Sequence, residues 1–137
     1  MPAPPALKQG DDVFAIWGGI AGAQTLLALL YDEGVVRRGL TPAALSELLA
    51  EGPAARFGLA PGKGALAVGS DADVALVHPS ATWTVSREEL RNRHRLSPFV
   101  GRALRGRVVR TFVRGRTVAR DGGIVGPPSG RVVRRAA

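Results

Sequence analysis

Side chains that commonly act in catalysis are scarce in this sequence. It contains two histidines, His78 and His94, and no cysteine. A transition-metal site needs several His, Cys or carboxylate ligands, and these histidines do not have the spacing of a ligand pair. His78 follows a predicted strand and His94 lies in a basic loop, so we interpret both as surface or hinge residues; a lone histidine acting as a general base is the alternative. The sequence therefore predicts no catalytic and no metal-binding side chain.

Two closely spaced carboxylates, Asp71 and Asp73, form the other group that could bind a ligand. Such a pair could hold a hard cation, but one short turn supplies too few oxygen atoms for a closed site. The pair stands between two short apolar runs, at residues 65–68 and 74–77. We therefore predict strand, turn and strand, in which Gly69 adopts a positive φ and the aspartates accept hydrogen bonds from turn amides.

Three glycines within residues 18–22 could bring the main chain close to a ligand. A glycine loop that opens a helix can bind an anion, but this spacing differs from that of dinucleotide and Walker loops, and no predicted strand precedes it. Apolar residues then recur at intervals of three and four up to Tyr31, which predicts a helix. Because each glycine inside a helix costs about 1 kcal/mol, we expect this helix to begin near Ile20 and to end at Gly34.

A second helix is predicted from Thr41, a good N-cap residue, and Pro42, which suits the first helical position. We expect it to end at Gly52 and to be followed by one more turn, which Gly58 closes. Near residue 64 the apolar period changes from 3.6 to 2, and strands are predicted at residues 65–68, 74–77, 82–85, 106–113, 117–119 and 124–125. Tight turns are predicted between the last three strands, at Arg114-Gly115 and at Asp121-Gly122-Gly123. Two helices followed by a small antiparallel or mixed β-part place the chain in the α+β class.

The composition is that of a globular domain. The 137 residues are 45% hydrophobic and 22% charged, which suffices for a hydrophobic core and is too apolar for a disordered chain. The lack of cysteine excludes disulfides and thiolate metal sites. No apolar run approaches the length of a membrane-spanning helix, and the first residues do not resemble a signal peptide. We therefore expect a cytoplasmic protein without a membrane partner.

The net charge of +8 is concentrated in one part of the chain. Residues 1–86 carry five Lys and Arg against eight Asp and Glu, whereas residues 87–137 carry fourteen Arg against three acidic residues. A basic half raises the alternative of a small nucleic-acid-binding protein. However, only 5% of the residues are aromatic, and none alternates with the arginines in a stacking pattern. We interpret the arginines as a solvated face that protects strand edges, and we expect no specific nucleic-acid partner.

Four segments resemble the cyclic amidohydrolases. Residues 64–74 are similar to the turn that opens the C-terminal β-part of that superfamily, and residues 14–24 closely resemble its allantoinases. Residues 53–59 are similar to the family's Pro-Ala-x-x-Phe-Gly-Leu motif, although Glu51 stands where the family often has Asn or Ser. Residues 93–101 resemble a segment in which a histidine and a basic residue precede Ser/Thr-Pro-aromatic. The resemblance extends from Pro2 to about Gly130.

The resemblance implies a fold class and a division of the chain. It identifies an α+β fragment that consists of the barrel-closing helices of a TIM-barrel amidohydrolase and the small C-terminal domain of β-sandwich type. The helical end of the barrel domain would occupy residues 1–62 and the small β-domain residues 63–126. Residues 127–137 would form a mobile basic tail. A free-standing interaction module without activity is the alternative.

The resemblance also implies an activity, which is the metal-dependent hydrolysis of a small cyclic amide, opening allantoin to allantoate. Relatives of this kind use divalent metal ions, here expected to be a pair of zinc ions, held by histidines, an acidic residue and a carboxylated lysine. Because this sequence begins as if just after the last ligand, we expect the chain alone to bind no metal and to be inactive. The longer enzyme would be a homo-oligomer.

The substrate contacts implied by the resemblance fall on the main chain of Gly18, Gly19 and Ile20. The alternative is that these glycines only let the helix start tightly. In the family, the helix that follows packs on the barrel. We therefore expect an apolar face that this chain leaves uncovered, and such a face marks an interaction surface. Its members are Trp17, Ile20, Ala23, Leu27 and Leu30.

Overall fold

Helices come first along the chain and one antiparallel sheet follows, in a computed structural model that describes residues 4–134. A short 3-10 turn precedes three α-helical segments, two of which continue into wider π-helical turns: the 3-10 turn Pro5–Lys8, α1 Leu26–Leu30 with the π-turns Tyr31–Val36, α2 Pro42–Ser46 with the π-turns Glu47–Glu51, and α3 Gly52–Arg56. The sheet has the order β1-β2-β3-β4, formed by Val74–Thr84, Ala103–Val113, Arg116–Arg120 and Gly123–Ile124. This is the α+β order that the change of apolar period predicts.

The first helix begins and ends later than predicted. It starts at Leu26 instead of near Ile20, because the glycine-rich residues 18–22 remain in loop conformation. Gly34 does not end it, since Gly34 lies within the π-helical turns. A Cβ atom at Gly34 would lie 3.3 Å from a methyl group of Leu40, so close packing explains this glycine. Gly39, with a φ of 72°, follows the end of the helix.

The second helix confirms the predicted start but not the predicted end. The hydroxyl of Thr41 accepts a hydrogen bond from the amide of Ala44 at 3.1 Å, as an N-cap residue does. Gly52 has helical dihedral angles and opens α3 directly after the π-turns. Its predicted role as terminator is therefore wrong. Gly58 adopts a φ of 66° and closes the last turn, as predicted.

The predicted strand at residues 65–68 is wrong. Leu66 is 83% exposed, and within residues 4–134 no neighbouring strand pairs with this run. A strand needs a partner for its main-chain groups, so a short apolar run alone does not form one. The second run forms β1, which extends through residues 82–84 and therefore joins two predicted strands into one.

The hairpin turns of the sheet confirm their prediction. Arg114 and Gly115 connect β2 to β3 with φ values of 48° and 76°, and Asp121 and Gly122 connect β3 to β4 with values of 49° and 80°. Two consecutive positive φ angles give the turn whose twist matches that of the flanking strands. All neighbouring strands pair antiparallel, and β1 and β2 form the longest pair.

The core lies between α1 and the sheet. Its buried members are Ala28, Val85, Leu90 and Leu104, and the half-buried side chains of Leu29, Trp83 and Phe99 pack against them. Thus α1, whose start adjoins the glycine-rich loop, is fixed against the sheet. None of the helices formed by residues 4–134 combines the length and apolarity needed to cross a membrane. Residues 135–137 of the predicted basic tail lie outside the described residues.

Candidate functional site

The glycine-rich loop closes around a lysine side chain. The ammonium nitrogen of Lys8 donates hydrogen bonds to the carbonyl oxygens of Trp17 at 3.1 Å, Gly18 at 3.4 Å and Gly19 at 2.5 Å. A main-chain hydrogen bond of 3.0 Å from Trp17 to the carbonyl of Leu7 joins the same two segments. The loop is therefore anchored to the turn that precedes it in sequence.

This anchoring determines which main-chain groups the loop offers to a ligand. The peptide units that follow Trp17, Gly18 and Gly19 are trans, so each carbonyl points opposite to the N–H group of its own unit. Because the three carbonyls face Lys8, the N–H groups of Gly18, Gly19 and Ile20 face away from it. Within residues 4–134 these three N–H groups have no hydrogen-bond acceptor. Gly19 has a φ of 83°, which favours glycine at this position.

An open pocket of about 250 Å³ lies beside the loop. It brings the glycine-rich segment together with the Ser-Pro-aromatic segment, and its lining residues are Lys8, Gly19, Ile20, Ala21, Leu96, Ser97 and Pro98. Two of the three predicted contact residues, Gly19 and Ile20, therefore line one pocket, and Gly18 is adjacent to them. The two segments are more than seventy residues apart in sequence, so folding alone makes them neighbours.

Sequence reasoning did not identify Lys8 or Ser97 as site residues. Ser97 is buried, and its hydroxyl accepts a hydrogen bond of 3.3 Å from the amide of Phe99. The resemblance of residues 93–101 to the cyclic amidohydrolases was a signal that could have identified Ser97. For Lys8 the sequence offers no comparable signal, because the residue stands alone in a polar, proline-rich stretch.

Gln24, just after the glycine-rich loop, binds the main chain that precedes the Ser-Pro-aromatic segment. Its amide nitrogen donates to the carbonyl of Glu89 at 2.8 Å, and its amide oxygen accepts from the N–H of Arg91 at 2.9 Å. The side-chain amide thus donates one hydrogen bond to the main chain just before residues 93–101 and accepts another from it. This double contact holds the start of α1 in register with the loop that completes the pocket.

The apolar side chains of the loop point into solvent. Phe14 is 96% exposed, Trp17 64% and Ile20 61%. The face predicted to be uncovered is interrupted at Leu27, which is half-buried and lines the larger pocket between α1 and the sheet. The exposed surface is therefore centred on the glycine-rich loop and lies mostly ahead of α1.

The histidines and the acidic turn hold no metal ligand set. Among the residues that the structure describes, no three His, Cys, Asp or Glu side chains lie close enough together to bind a metal ion. His78 lies within β1 instead of after a strand, and its Nδ1 accepts a hydrogen bond from Ala81 at 3.2 Å. His94 is half-buried in the loop before the pocket segment. The two imidazoles therefore belong to different elements.

The side chain of Lys63 binds both aspartates of the acidic turn, Asp71 and Asp73. The ammonium group of Lys63 contacts Asp71 at 2.7 Å and forms a closer ion pair with Asp73. These hydrogen bonds raise the pKa of Lys63. The hydrogen bond from Lys63, together with that from the amide of Arg114 at 2.8 Å, outweighs partial burial and lowers the pKa of Asp73. The predicted hydrogen bonds from amides of the same turn are not the ones observed; the aspartates instead hold Lys63 and, through Asp73, the distant turn at Arg114.

Comparison with known proteins connects these segments to one family. The amidohydrolase family profile matches residues 9–118. The allantoinase of Rubrobacter xylanophilus is 54% identical over 133 residues, and that of Deinococcus radiodurans is 44% identical over 133 residues. In both cases the match covers 97% of this chain and 29% of the relative. This chain thus spans less than a third of the length of these curated relatives.

Solved structures show the same similarity in three dimensions. The L-hydantoinase (dihydropyrimidinase) of Arthrobacter aurescens superimposes with a TM-score of 0.79 at 36% identity, over 84% of this chain and 26% of that protein. A D-hydantoinase (dihydropyrimidinase) from Thermus sp. superimposes with a TM-score of 0.78 at 35% identity, over 83% of this chain and 25% of that protein. Sequence and structure therefore agree that this chain belongs to the amidohydrolase family.

Proposed function

We propose that this chain is part of an enzyme that hydrolyses an amide bond of a small ring, with allantoin as the substrate and allantoate as the product. Similarity to allantoinases and hydantoinases over most of the chain supports this proposal. The observation that carries it is the pocket in which Gly19 and Ile20 meet Leu96 and Ser97. Its volume of about 250 Å³ is just below the usual range for drug-sized ligands and suits a small ring.

Within such an enzyme, the helices of residues 1–62 would close a TIM barrel and residues 63–126 would form the small C-terminal β-domain. The change from helices to a sheet near residue 74 supports this division. Residues 127–137 would be a basic tail, and its described part includes a hydrogen bond from Arg114 to the carbonyl of Ser129.

The amidohydrolase family is generally metal-dependent, but the residues described here do not fit a metal centre. They contain no group of three ligating side chains, and the carboxylates of Asp71 and Asp73 are both bound to Lys63. We therefore assign the divalent metal ions, which we propose to be a zinc pair, to other residues of the longer enzyme. The contribution of this chain is the binding of the ring.

In this proposal Gly18, Gly19 and Ile20 bind the ring through their main-chain N–H groups. These donors have no acceptor within residues 4–134, whereas ring amides and ureides carry carbonyl oxygens that accept hydrogen bonds. A ring oxygen that accepts from these N–H groups would replace their hydrogen bonds to water and fix the orientation of the ring in the pocket. Glycine at two of the three positions leaves the main chain accessible to the ring.

A chimeric enzyme tests the proposal. The matching 133 residues of the Rubrobacter xylanophilus allantoinase would be replaced by this chain, and the metal content and allantoin hydrolysis of the product would be measured. We expect the chimera to hold its metal and to release allantoate, whereas this chain alone releases none. Hydantoin serves as the competing ring substrate.

The proposal fails if the chimera is folded and metal-loaded but hydrolyses neither ring. Faster turnover of hydantoin than of allantoin would retain the reaction class and replace the proposed substrate. A chimera with Gly19→Val tests the loop, because a β-branched side chain at a φ of 83° distorts it. We expect that variant to bind allantoin at least tenfold more weakly.

A further inference from the structure

We infer that Lys8 is a positioning residue for ring binding, an inference that rests on the proposed function. Its ammonium group binds the carbonyls of the glycine-rich loop and so turns the N–H groups of the same peptide units away from itself. Lys8 also lines the pocket together with Gly19 and Ser97. Because this ammonium group is bound to three loop carbonyls, we assign its effect on the ring to the main chain of the loop.

The number of donors matches the number of acceptors. A lysine ammonium group carries three N–H donors, and three successive carbonyls, those of Trp17, Gly18 and Gly19, surround the nitrogen of Lys8. Hydrogen bonds to a charged donor are stronger than those between neutral groups. All three peptide planes are therefore held in one orientation by a single side chain.

The position of Lys8 is itself restrained. Lys8 is the last residue of the turn Pro5–Lys8, which begins with a proline. The preceding residue, Leu7, accepts a main-chain hydrogen bond from Trp17 at 3.0 Å. The lysine side chain thus starts from main chain that is already tied to the loop, which reduces the entropy lost when its charged end is ordered.

The consequence concerns which ligands the loop can recognise. A free glycine loop offers both donors and acceptors, and it could pair with a ring carbonyl or with a ring N–H. With Lys8 in place the three carbonyls are oriented toward its ammonium group, so the loop presents its N–H groups on the other side and favours rings that offer carbonyl oxygens to them. The chemical class that fits is a cyclic ureide or imide, oriented with an oxygen atom toward Gly18–Ile20.

The first test measures the loop in this chain by carbon-13 and nitrogen-15 NMR. Lys8→Met keeps the length of the side chain and removes its donors, whereas Lys8→Arg retains a charged donor. Arg56→Met is the matched control, because Arg56 is exposed and has no ion pair within residues 4–134. We expect the carbonyl signals of Trp17, Gly18 and Gly19 to shift in Lys8→Met, partly in Lys8→Arg, and not in the control.

The second test measures allantoin kinetics in the chimeric enzyme. Lys8 acts on ring binding and not on the reacting bond, so we expect Lys8→Met to raise KM about tenfold and to change kcat less than threefold. Lys8→Arg should recover part of the loss, and Arg56→Met should match the unmodified chimera. A fall in kcat with unchanged KM would overturn the inference.

The two tests separate the inference from the proposed function. Unchanged carbonyl signals in Lys8→Met show that Lys8 does not hold the loop, and the inference is then wrong even if the chimera is active. Shifted signals with unchanged KM show that Lys8 holds the loop without serving the ring, which also overturns the inference. An inactive unmodified chimera counts against the proposed function, and the role of Lys8 toward a ring falls with it.

Discussion

Asp32 on the first helix accepts a hydrogen bond from the main-chain N–H of Arg105 in β2 at 3.1 Å. Its second carboxylate oxygen accepts from the guanidinium group of Arg37 at 2.9 Å. Asp32 is buried, whereas the side chain of Arg37 remains 57% exposed. Burial by itself raises the pKa of Asp32, but the hydrogen bonds from Arg37 and Arg105 and the charges of Arg37 and Arg102 outweigh it and lower the pKa. One carboxylate thereby joins helix to sheet.

We predict that Asp32→Ala destabilises the fold, because it leaves the part-buried N–H of Arg105 without its acceptor. A buried unsatisfied donor costs about 1–3 kcal/mol in free energy of unfolding. Asp32→Asn, which keeps an acceptor oxygen, should lose less. Urea denaturation measures both, with the exposed Asp121→Asn as control. Equal stability of Asp32→Ala and the control would contradict the prediction.

A second prediction concerns Gly106, where β2 passes under the ring of Tyr31. A Cβ atom built on Gly106 would lie 2.9 Å from Cε1 and 3.0 Å from Cγ of that ring, and Gly106 has a φ of 88°. Alanine therefore meets both a steric clash and an unfavourable dihedral angle, and we expect a loss of about 3 kcal/mol or more. Gly115→Ala is the matched control.

That control separates the two causes, because Gly115 has a φ of 76° but open space around its Cα. It should lose only about 1 kcal/mol. Thermal or urea unfolding provides the comparison. If both alanine variants lose the same free energy, packing against Tyr31 contributes nothing.

The third prediction is a pH dependence of stability at the turn before β1. Since the pKa of Asp73 is lowered in the fold, its contribution is present above its ordinary pKa of about 3.9 and is lost as the pH falls through the lower folded value. The pKa of Lys63 is raised, so its contribution is present below about 10.4 and is lost as the pH rises through the higher folded value.

Urea midpoints measured across pH for the unmodified chain, Asp73→Asn and Lys63→Met test this. We expect the unmodified chain to have a higher urea midpoint than either variant near neutral pH. Its excess over Asp73→Asn should disappear in acid, and its excess over Lys63→Met should disappear in strong base. A difference in urea midpoint between the unmodified chain and Asp73→Asn that grows as the pH falls below about 4 would refute the ion pair.

The fourth prediction concerns metal in this chain by itself. Because residues 4–134 contain no ligand set, elemental analysis of the purified chain should find well under one equivalent of zinc, and a chelator should leave the unfolding temperature unchanged. One tightly held equivalent would contradict this. His78→Ala and His94→Ala would then identify which imidazole binds it.

The fifth prediction concerns the exposed apolar surface at Phe14, Trp17 and Ile20. Apolar side chains clustered in solvent favour association with another surface. We expect the chain to self-associate and to bind an apolar dye, and Phe14→Ser with Ile20→Asn should reduce both. Sedimentation velocity measures the association, and Leu66→Ser, an exposed residue outside the cluster, is the control. A monomer that binds no dye would contradict the prediction.

Several features follow from the sequence by itself, because each depends on local geometry. The cap at Thr41 and the two positive-φ turns at Arg114-Gly115 and Asp121-Gly122 formed as predicted. Local steric preferences and side-chain hydrogen bonds suffice for such features. The glycine-rich segment is likewise recognisable from its composition alone. Its resemblance to the amidohydrolases agrees with the family that the comparisons show.

Only the tertiary structure decided the features that need a distant partner. Residues 65–68 have the composition of a strand but lack a neighbouring strand within the described chain, and Gly34 and Gly52 are explained by close approach instead of helix termination. The pocket required residues 14–24 to meet residues 93–101. The role of Lys8 emerged in the same way, because one ammonium group can orient three carbonyls only after the chain has folded back on itself.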